Sequence, residues 1–148
     1  PKKITVAVSG SFFICCNFGP KHVAQMMNVP SLITNCFPYH ALFGYGKLDI
    51  SIPKIIYKND VKISLKEIID SNYFLGQNLR KNNDITFKEN SKEDILNATK
   101  EMVVQTTKKK QIYDDKFIRK KFITFHPFLE GKGQISKNFI DKNEDLFI

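Results

Sequence analysis

Short apolar runs near the start of the chain predict strands. Ile4–Val8 (ITVAV) and Phe12–Cys16 (FFICC) are rich in β-branched or aromatic residues and are separated by a Ser-Gly-Ser turn. Runs of this kind, bounded by turn residues, are typical of buried strands or a strand pair. From Pro20 the apolar positions follow a helical spacing, and Ser31–Thr34 (SLIT) then predicts another strand. The first 35 residues therefore predict a βαβ unit, which is typical of parallel sheets with helices on both faces.

The middle of the chain has weaker hydrophobic patterns, but prolines and glycines clearly mark where its elements end. Cys36–Lys54 contains prolines, glycines and interleaved aromatics, which predicts a long loop, and Ile50–Tyr57 predicts a short strand near its end. The spacing Ser64-Leu65-Lys66-Glu67 matches a capping box, so a helix should begin at about Leu65. Ile85–Phe87 predicts one more short strand.

The C-terminal third of the chain is predicted to be mainly helical. The sequence from Ser91 to Asp94 caps the clearest helix, which has acidic residues in its first turn and lysines beyond its end, as the helix dipole favours. Residues from about 111 to 148 predict a helical tail, and Ile135–Ile140 is expected to dock as a helix that crosses to a neighbour. The whole chain, residues 1–148, is expected to form one α/β domain with a Rossmann-like parallel sheet and flanking helices.

Charge and cysteine content narrow the function classes. The net charge is +8, but only two of the 23 basic residues are arginine and both halves of the chain carry +4, so dedicated nucleic-acid binding is not expected. An RNA-binding domain remains a minor alternative. The sequence has no apolar run of the roughly 20 residues that a membrane helix needs, and no secretory signal. We therefore expect a cytoplasmic location. The alternative is a peripheral position at the inner face of the membrane. The three cysteines form neither a disulfide framework nor a metal knuckle.

The segment between the first predicted strand and helix could bind phosphate. A helix that starts after a parallel strand offers unpaired backbone N–H groups and a favourable dipole to an anion. Gly19 would let the ligand approach the backbone, Asn17 offers a polar group at the strand end, and Lys21 and His22 lie in the first turn. The alternative is a structural turn in which Gly19 serves only for its backbone freedom. The glycine motifs of P-loops and of dinucleotide-binding folds are absent.

Three further candidate residues have structural alternatives. Lys54 could reach a phosphate or could be a solvated lysine, and Glu67 could bind a ribose hydroxyl or act only in its capping box. His22 could be a phosphate ligand, a general acid or a surface residue. His40 and His126 are more consistent with packing, and no metal site is expected.

The sequence Asn17–Asn35 resembles a family of glycosyltransferases encoded in bacterial surface-carbohydrate loci. The pattern N-x-G-P, x-x-V-A, V-P and T-N in this stretch is similar to the strand end, helix and second strand end of that family. Shorter segments also resemble it: Asp49–Lys54, Ile63–Ile69, Phe87–Ile95 and Ile135–Ile140. A broader likeness to the donor half of heptosyltransferase-like (GT-B) enzymes is carried by Gly19–Ala24 (GPKHVA).

This resemblance implies a donor-binding function. The chain would be the C-terminal, nucleotide-sugar-binding half of a GT-B enzyme that transfers a hexosyl or heptosyl group in lipopolysaccharide or surface-polysaccharide synthesis. The residues implied to line the donor site are Asn17, Gly19, Pro20, Lys21, His22, Asn35, Lys54 and Glu67. The catalytic residues are unknown, and no metal or other cofactor is expected. The glycan or lipid-linked acceptor would bind an N-terminal domain that is not part of this sequence, so the chain alone is expected to be inactive.

The main alternative is a non-catalytic α/β module that binds a nucleotide or a protein. Exposed apolar surface, where another domain would dock, favours the donor half of an enzyme. A sealed polar surface favours the module.

Overall fold

A computed structural model describes residues 11–17, 19–39, 42–71, 73, 79, 84–114, 116–125 and 131–147, apart from the side chains at positions 20, 69 and 121–125. The predicted strand Ile4–Val8 lies outside the described residues, as do Phe18, His40 and His126. The strands are β1 (Phe13–Cys16), β2 (Ser31–Cys36), β3 (Ile50–Pro53), β4 (Ile55–Lys58), β5 (Val61–Lys62), β6 (Ile85–Lys88) and β7 (Gln134–Ile135). The helices are α1 (Pro20–Met26), α2 (Leu65–Asp70), α3 (Lys92–Lys108), α4 (Lys116–Phe125) and α5 (Lys137–Lys142), followed by the 3-10 turn Glu144–Leu146.

The described strands form a parallel sheet and a smaller antiparallel sheet. The parallel sheet has four strands in the order β1-β2-β3-β7, and helices pack against it, so the mixed α/β class predicted from the sequence is confirmed. The β1-α1-β2 segment is the predicted βαβ unit. The second sheet has the order β5-β4-β6 and pairs β4 with β6 in an antiparallel register. The predicted strand at Ile85–Phe87 therefore exists, but it lies in the small sheet.

The parallel sheet is covered on both faces at its centre and only in part at β1. Every residue of β3 and all but one of β2 are buried. α1 packs on β1 and β2, whereas α3 packs on β2 and β3. Ile14 of β1 is 46% exposed although its register partner Leu32 on β2 is fully buried. Since paired residues lie on the same face, the cover of that face stops at β2.

The C-terminal segment differs from the expected helical tail. Residues 131–147 contain β7, whose Ile135 pairs with Ser51 of β3 and is fully buried in this chain's own sheet. The helical pattern begins only after Ser136, whose hydroxyl caps α5 by accepting from the Phe139 N–H at 3.2 Å. These residues are therefore not helical throughout, because a short strand precedes α5. β7 has only two residues, which are too few to give an alternating strand pattern in the sequence.

Glu101 fixes α5 against α3. This glutamate of α3 is 6% exposed, and its carboxylate accepts from the Lys137 N–H at 3.0 Å and from the Asn138 N–H at 2.8 Å. It also accepts from the Asn138 side chain at 2.9 Å. The carboxylate thus accepts from N–H groups that have no intrahelical partner at the start of α5, and its negative charge interacts favourably with the positive end of the helix dipole.

We expect Glu101→Gln to lower the free energy of unfolding by about 1 to 3 kcal/mol, because one charged acceptor oxygen becomes an amide donor that faces N–H groups. Urea unfolding followed by circular dichroism measures the change. Glu93→Gln on the exposed side of the same helix is the control, with a change of about 0.5 kcal/mol or less. An equal effect of the two substitutions would contradict this role for Glu101.

Candidate ligand-binding site

The carboxyl ends of β1, β2 and β3 bring several of the predicted residues to one edge of the parallel sheet. Asn17 follows β1 directly, Asn35 is the second-to-last residue of β2, and Lys54 follows β3. In open α/β sheets ligands bind outside this edge. The edge therefore defines the candidate site, which we call the carboxyl edge.

Asn17 and Lys21 form a bonded pair where α1 begins. The Asn17 side chain donates to the Phe37 carbonyl at 3.0 Å and accepts from the Lys21 ammonium at 2.6 Å. Lys21 is only 4% exposed. The buried Lys21 ammonium is thus held by the Asn17 side-chain amide, and the same amide is fixed to the loop after β2 by its bond to the Phe37 carbonyl.

Gly19 and Pro20 form the start of α1. Gly19 is exposed and has an ordinary right-handed φ of −39°, and a Cβ at this position would meet nothing within 4 Å. Glycine is thus required neither by the backbone conformation nor by packing within the described residues. Pro20 opens the helix as predicted, since its missing N–H would have no intrahelical partner there.

Among the described residues, no side-chain hydrogen bond joins His22 or Glu67 to the Asn17–Lys21 pair. His22 is exposed and its ring centroid lies 6.3 Å from that of Tyr45, in the loop before β3. Glu67 is exposed in the first turn of α2, and its backbone N–H donates to the Ser64 hydroxyl at 3.3 Å. That hydrogen bond caps the start of α2 at Ser64, where the sequence predicts the helix to begin.

Asn35 is locked to a residue that the sequence had not identified as a site residue. Asn35 has a left-handed φ of 50°. Its backbone N–H donates to the Asn90 side chain at 2.5 Å, and its own side chain accepts from the Asn90 N–H at 2.7 Å. The Asn90 side chain also donates to the Pro53 carbonyl at 2.8 Å. Asn90 therefore closes the space between the ends of β2 and β3, and its position just before the α3 cap was the only signal in the sequence.

Lys54 is paired at the outer rim of the carboxyl edge. Its ammonium lies 2.5 Å from a carboxylate oxygen of Glu89, whose side chain is 61% exposed. An exposed partner holds a lysine weakly. Lys54 is thus available to exchange Glu89 for another anion.

Burial raises the pKa of two thiols near this edge. Desolvation raises the pKa of Cys15 to about 11 and that of Cys36 to about 12, although the charge of Lys21 lowers both. The neighbouring Cys16 is exposed, and its sulfur lies 3.7 Å from the Thr34 hydroxyl.

Comparison of the chain with protein-family models, with curated proteins and with solved structures finds no match. Among the described residues, no helix is long and apolar enough to cross a membrane. In the same part of the chain, no three His, Cys, Asp or Glu side chains converge in a group that could hold a metal ion.

We expect Asn90→Ala to destabilise the protein by about 2 to 3 kcal/mol, since it removes the two side-chain hydrogen bonds to the Asn35 N–H and the Pro53 carbonyl and leaves these backbone groups unpaired. Thermal and urea unfolding measure this loss. Asn97→Ala in α3 is a control of the same residue type and should change the free energy of unfolding by about 1 kcal/mol or less. If the two variants lose equal stability, Asn90 does not hold the strand ends together.

We also expect that a thiol reagent at pH 8 modifies Cys16 much faster than Cys15 and Cys36 in the folded chain. The two buried thiols have raised pKa values, so few thiolates form and the reagent cannot reach them. Peptide mass mapping after timed labelling identifies the modified residue. Equal labelling of Cys15 and Cys16 would mean that the first strand is not packed as described.

Proposed function

We propose that this chain is the donor-binding half of a GT-B glycosyltransferase and that its carboxyl edge binds the diphosphate of a nucleotide-sugar. The transferred sugar would serve the synthesis of lipopolysaccharide or another cell-surface polysaccharide. The observation that carries the proposal is the Asn17–Lys21 pair beside the exposed Gly19, at the carboxyl end of a parallel strand. This is the place where a phosphate is best stabilised in a βαβ unit.

Gly19 adds a second line of support. Its φ is helical and a Cβ would meet nothing within 4 Å among the described residues, so its choice is explained by a ligand that approaches the backbone closely. The other explanation weighed from the sequence, a turn that needs glycine for its backbone freedom, has no support in this conformation.

The chemistry requires the chain to stabilise a departing diphosphate. In this proposal the backbone N–H groups of Gly19 and Lys21 donate to the phosphate oxygens, and the Lys21 ammonium turns from Asn17 to the ligand. Lys54 exchanges Glu89 for the same ligand. Fixed donors of this kind stabilise the negative charge that develops as the bond at the anomeric carbon breaks. The acceptor and the general base would come from an N-terminal domain, and the reaction would take place in the cytoplasm or at the inner face of the membrane.

Exposed apolar side chains on α1 and at its C-cap residue favour this proposal over a free-standing module. Val23, Met26 and Met27 are 46%, 84% and 51% exposed. An apolar surface of this kind is typical of an interface with another domain. A nucleotide- or protein-binding module without catalysis is the second candidate, and it would share the diphosphate site.

Isothermal titration with UDP, ADP, GDP and inorganic pyrophosphate tests the proposal. We expect at least one nucleoside diphosphate to bind, and Lys21→Met to weaken that binding by about tenfold or more, as for the loss of a charge-assisted hydrogen bond. Lys66→Met, on the exposed side of α2, is the matched control and should leave binding unchanged.

The result that overturns the proposal is binding of none of these ligands by the folded wild-type chain, or equal binding by the two variants. Circular dichroism of Lys21→Met must show a native spectrum. Turnover of a nucleotide-sugar by the chain alone would contradict the expectation that acceptor and base lie elsewhere.

A further inference from the structure

The outer edge of the small antiparallel sheet is accessible to a further strand. β6 pairs with β4 on one side, and in the part of the chain that the structure describes no strand pairs with its other side. Of residues 84–89 only Ile85 is partly buried, and the other five are exposed. β6 is therefore an open edge strand, which is a template for pairing with another chain.

The register of the sheet fixes which backbone groups of β6 face outward. The N–H of Asn59, which follows β4, donates to the Asp84 carbonyl at 2.9 Å, so Asp84 is a hydrogen-bonded position of the β4–β6 pair. Such positions alternate along an antiparallel strand, and Thr86 is the next one. The N–H and C=O groups of Ile85 and Phe87 therefore point away from β4 and can bond to a further strand.

The sequence of this edge is complementary to itself in one antiparallel register. When two copies of β6 meet about a twofold axis at Thr86, the outward groups of Ile85 in one copy bond to those of Phe87 in the other. Asp84 then lies opposite Lys88 of the second copy. In registers centred on Ile85 or on Phe87, Lys88 faces no acidic residue. The charges therefore select the register centred on Thr86.

The charges of this edge are paired only when two copies meet. A lysine on an edge strand normally discourages pairing with another strand. In this register Lys88 instead faces Asp84 at a non-hydrogen-bonded position, where opposite side chains lie closest. Within one copy, no ion pair among the described residues engages either side chain. Association thus adds charge pairs that the single chain lacks.

The same register covers an exposed aromatic ring. Phe87 is 41% exposed, and its ring packs edge-on against Phe37 with 4.9 Å between the centroids. Opposite Phe87 lies Ile85 of the second copy, on the same face of the sheet. An aromatic and a β-branched residue directly opposite each other form a favourable cross-strand pair. Apolar surface is therefore removed from water in the same contact that pairs the backbone groups.

We infer that two copies of this chain associate through β6, so that their small sheets join into one continuous antiparallel sheet. The strand order is β5-β4-β6 in one copy, followed by β6-β4-β5 in the other. A pair of strands this short buries less surface than a typical stable dimer, so the association is weak and depends on protein concentration. It is independent of the proposed donor site, because no residue of β6 belongs to the carboxyl edge.

Sedimentation velocity of the wild-type chain and of charge variants measures the association. We expect a dissociation constant of about 10 to 100 µM for the wild type. Asp84→Lys should weaken the association about tenfold or more, because it places two ammonium groups opposite each other. Asp84→Lys combined with Lys88→Asp should restore the wild-type affinity to within about threefold, since the two charges are only exchanged.

Glu144→Lys is the matched control, because it changes the net charge as Asp84→Lys does. Glu144 is exposed next to Asp145, whose carboxylate pairs with Lys62 on β5, the opposite edge of the small sheet. This variant should associate as the wild type does. A wild-type chain that stays monomeric at about 1 mM would overturn the inference. Equal association of Asp84→Lys and Glu144→Lys, or a double variant that does not recover, would also overturn it.

A cysteine at the axis tests the register without a change of charge. Position 86 faces itself as a non-hydrogen-bonded pair, whose Cα atoms lie about 4.5 Å apart, within the range of a disulfide. In a Cys16→Ser background, which lacks the exposed native thiol, oxidised glutathione should cross-link Thr86→Cys into a dimer far faster than Val61→Cys on β5. Val61 is 66% exposed, so access of the oxidant does not explain the difference. Equal cross-linking of the two variants, or none at position 86, would contradict the proposed interface.

Discussion

The hydrogen bonds around Asp49 hold the amino end of the parallel sheet together. The side chain joins the last turn of α1 through Gln25, the start of β2 through Ser31 and the preceding loop through Gly46. Its backbone carbonyl accepts from the Gln134 N–H at 2.8 Å and so begins the pairing with β7. One residue thus sets the relative position of three strands and a helix. Its carboxylate is stabilised by converging N–H groups and not by an ion pair. Burial of a charge in this way costs free energy, which the packing of the surrounding structure must offset.

This arrangement depends on glycines that allow the backbone to approach Asp49. A Cβ at Gly44 would lie 2.3 Å from a carboxylate oxygen of Asp49, and one at Gly133 would lie 2.9 Å from its backbone oxygen. No side chain fits at these distances without displacement of the strand or loop. The glycines of the loop before β3 therefore serve packing around one buried acid. In contrast, a Cβ at Gly19, at the other end of the sheet, would meet nothing within 4 Å in the part of the chain that the structure describes.

The two ends of the sheet therefore differ in character. The amino end has a buried carboxylate that three neutral donors stabilise. The carboxyl end combines a buried ammonium, an exposed helix start and a weakly paired lysine, which suits an anion. Asn90 bridges the ends of β2 and β3 through its bonds with Asn35 and the Pro53 carbonyl. The two ends differ because all the strands run in the same direction, so each end collects a different set of loop residues.

The sequence by itself determined the local elements whose signals are contained in consecutive residues. The β1-α1-β2 unit, the cap at Ser91 and the start of α2 follow from apolar spacing, proline position and capping residues. Only the tertiary structure decided which distant residues meet. The pairing of β7 with β3, the lock between Asn35 and Asn90 and the burial of Lys21 join residues whose contacts have no local pattern. Periodicity reports which side of an element is buried, whereas the partner on the other side is fixed by how the whole chain packs.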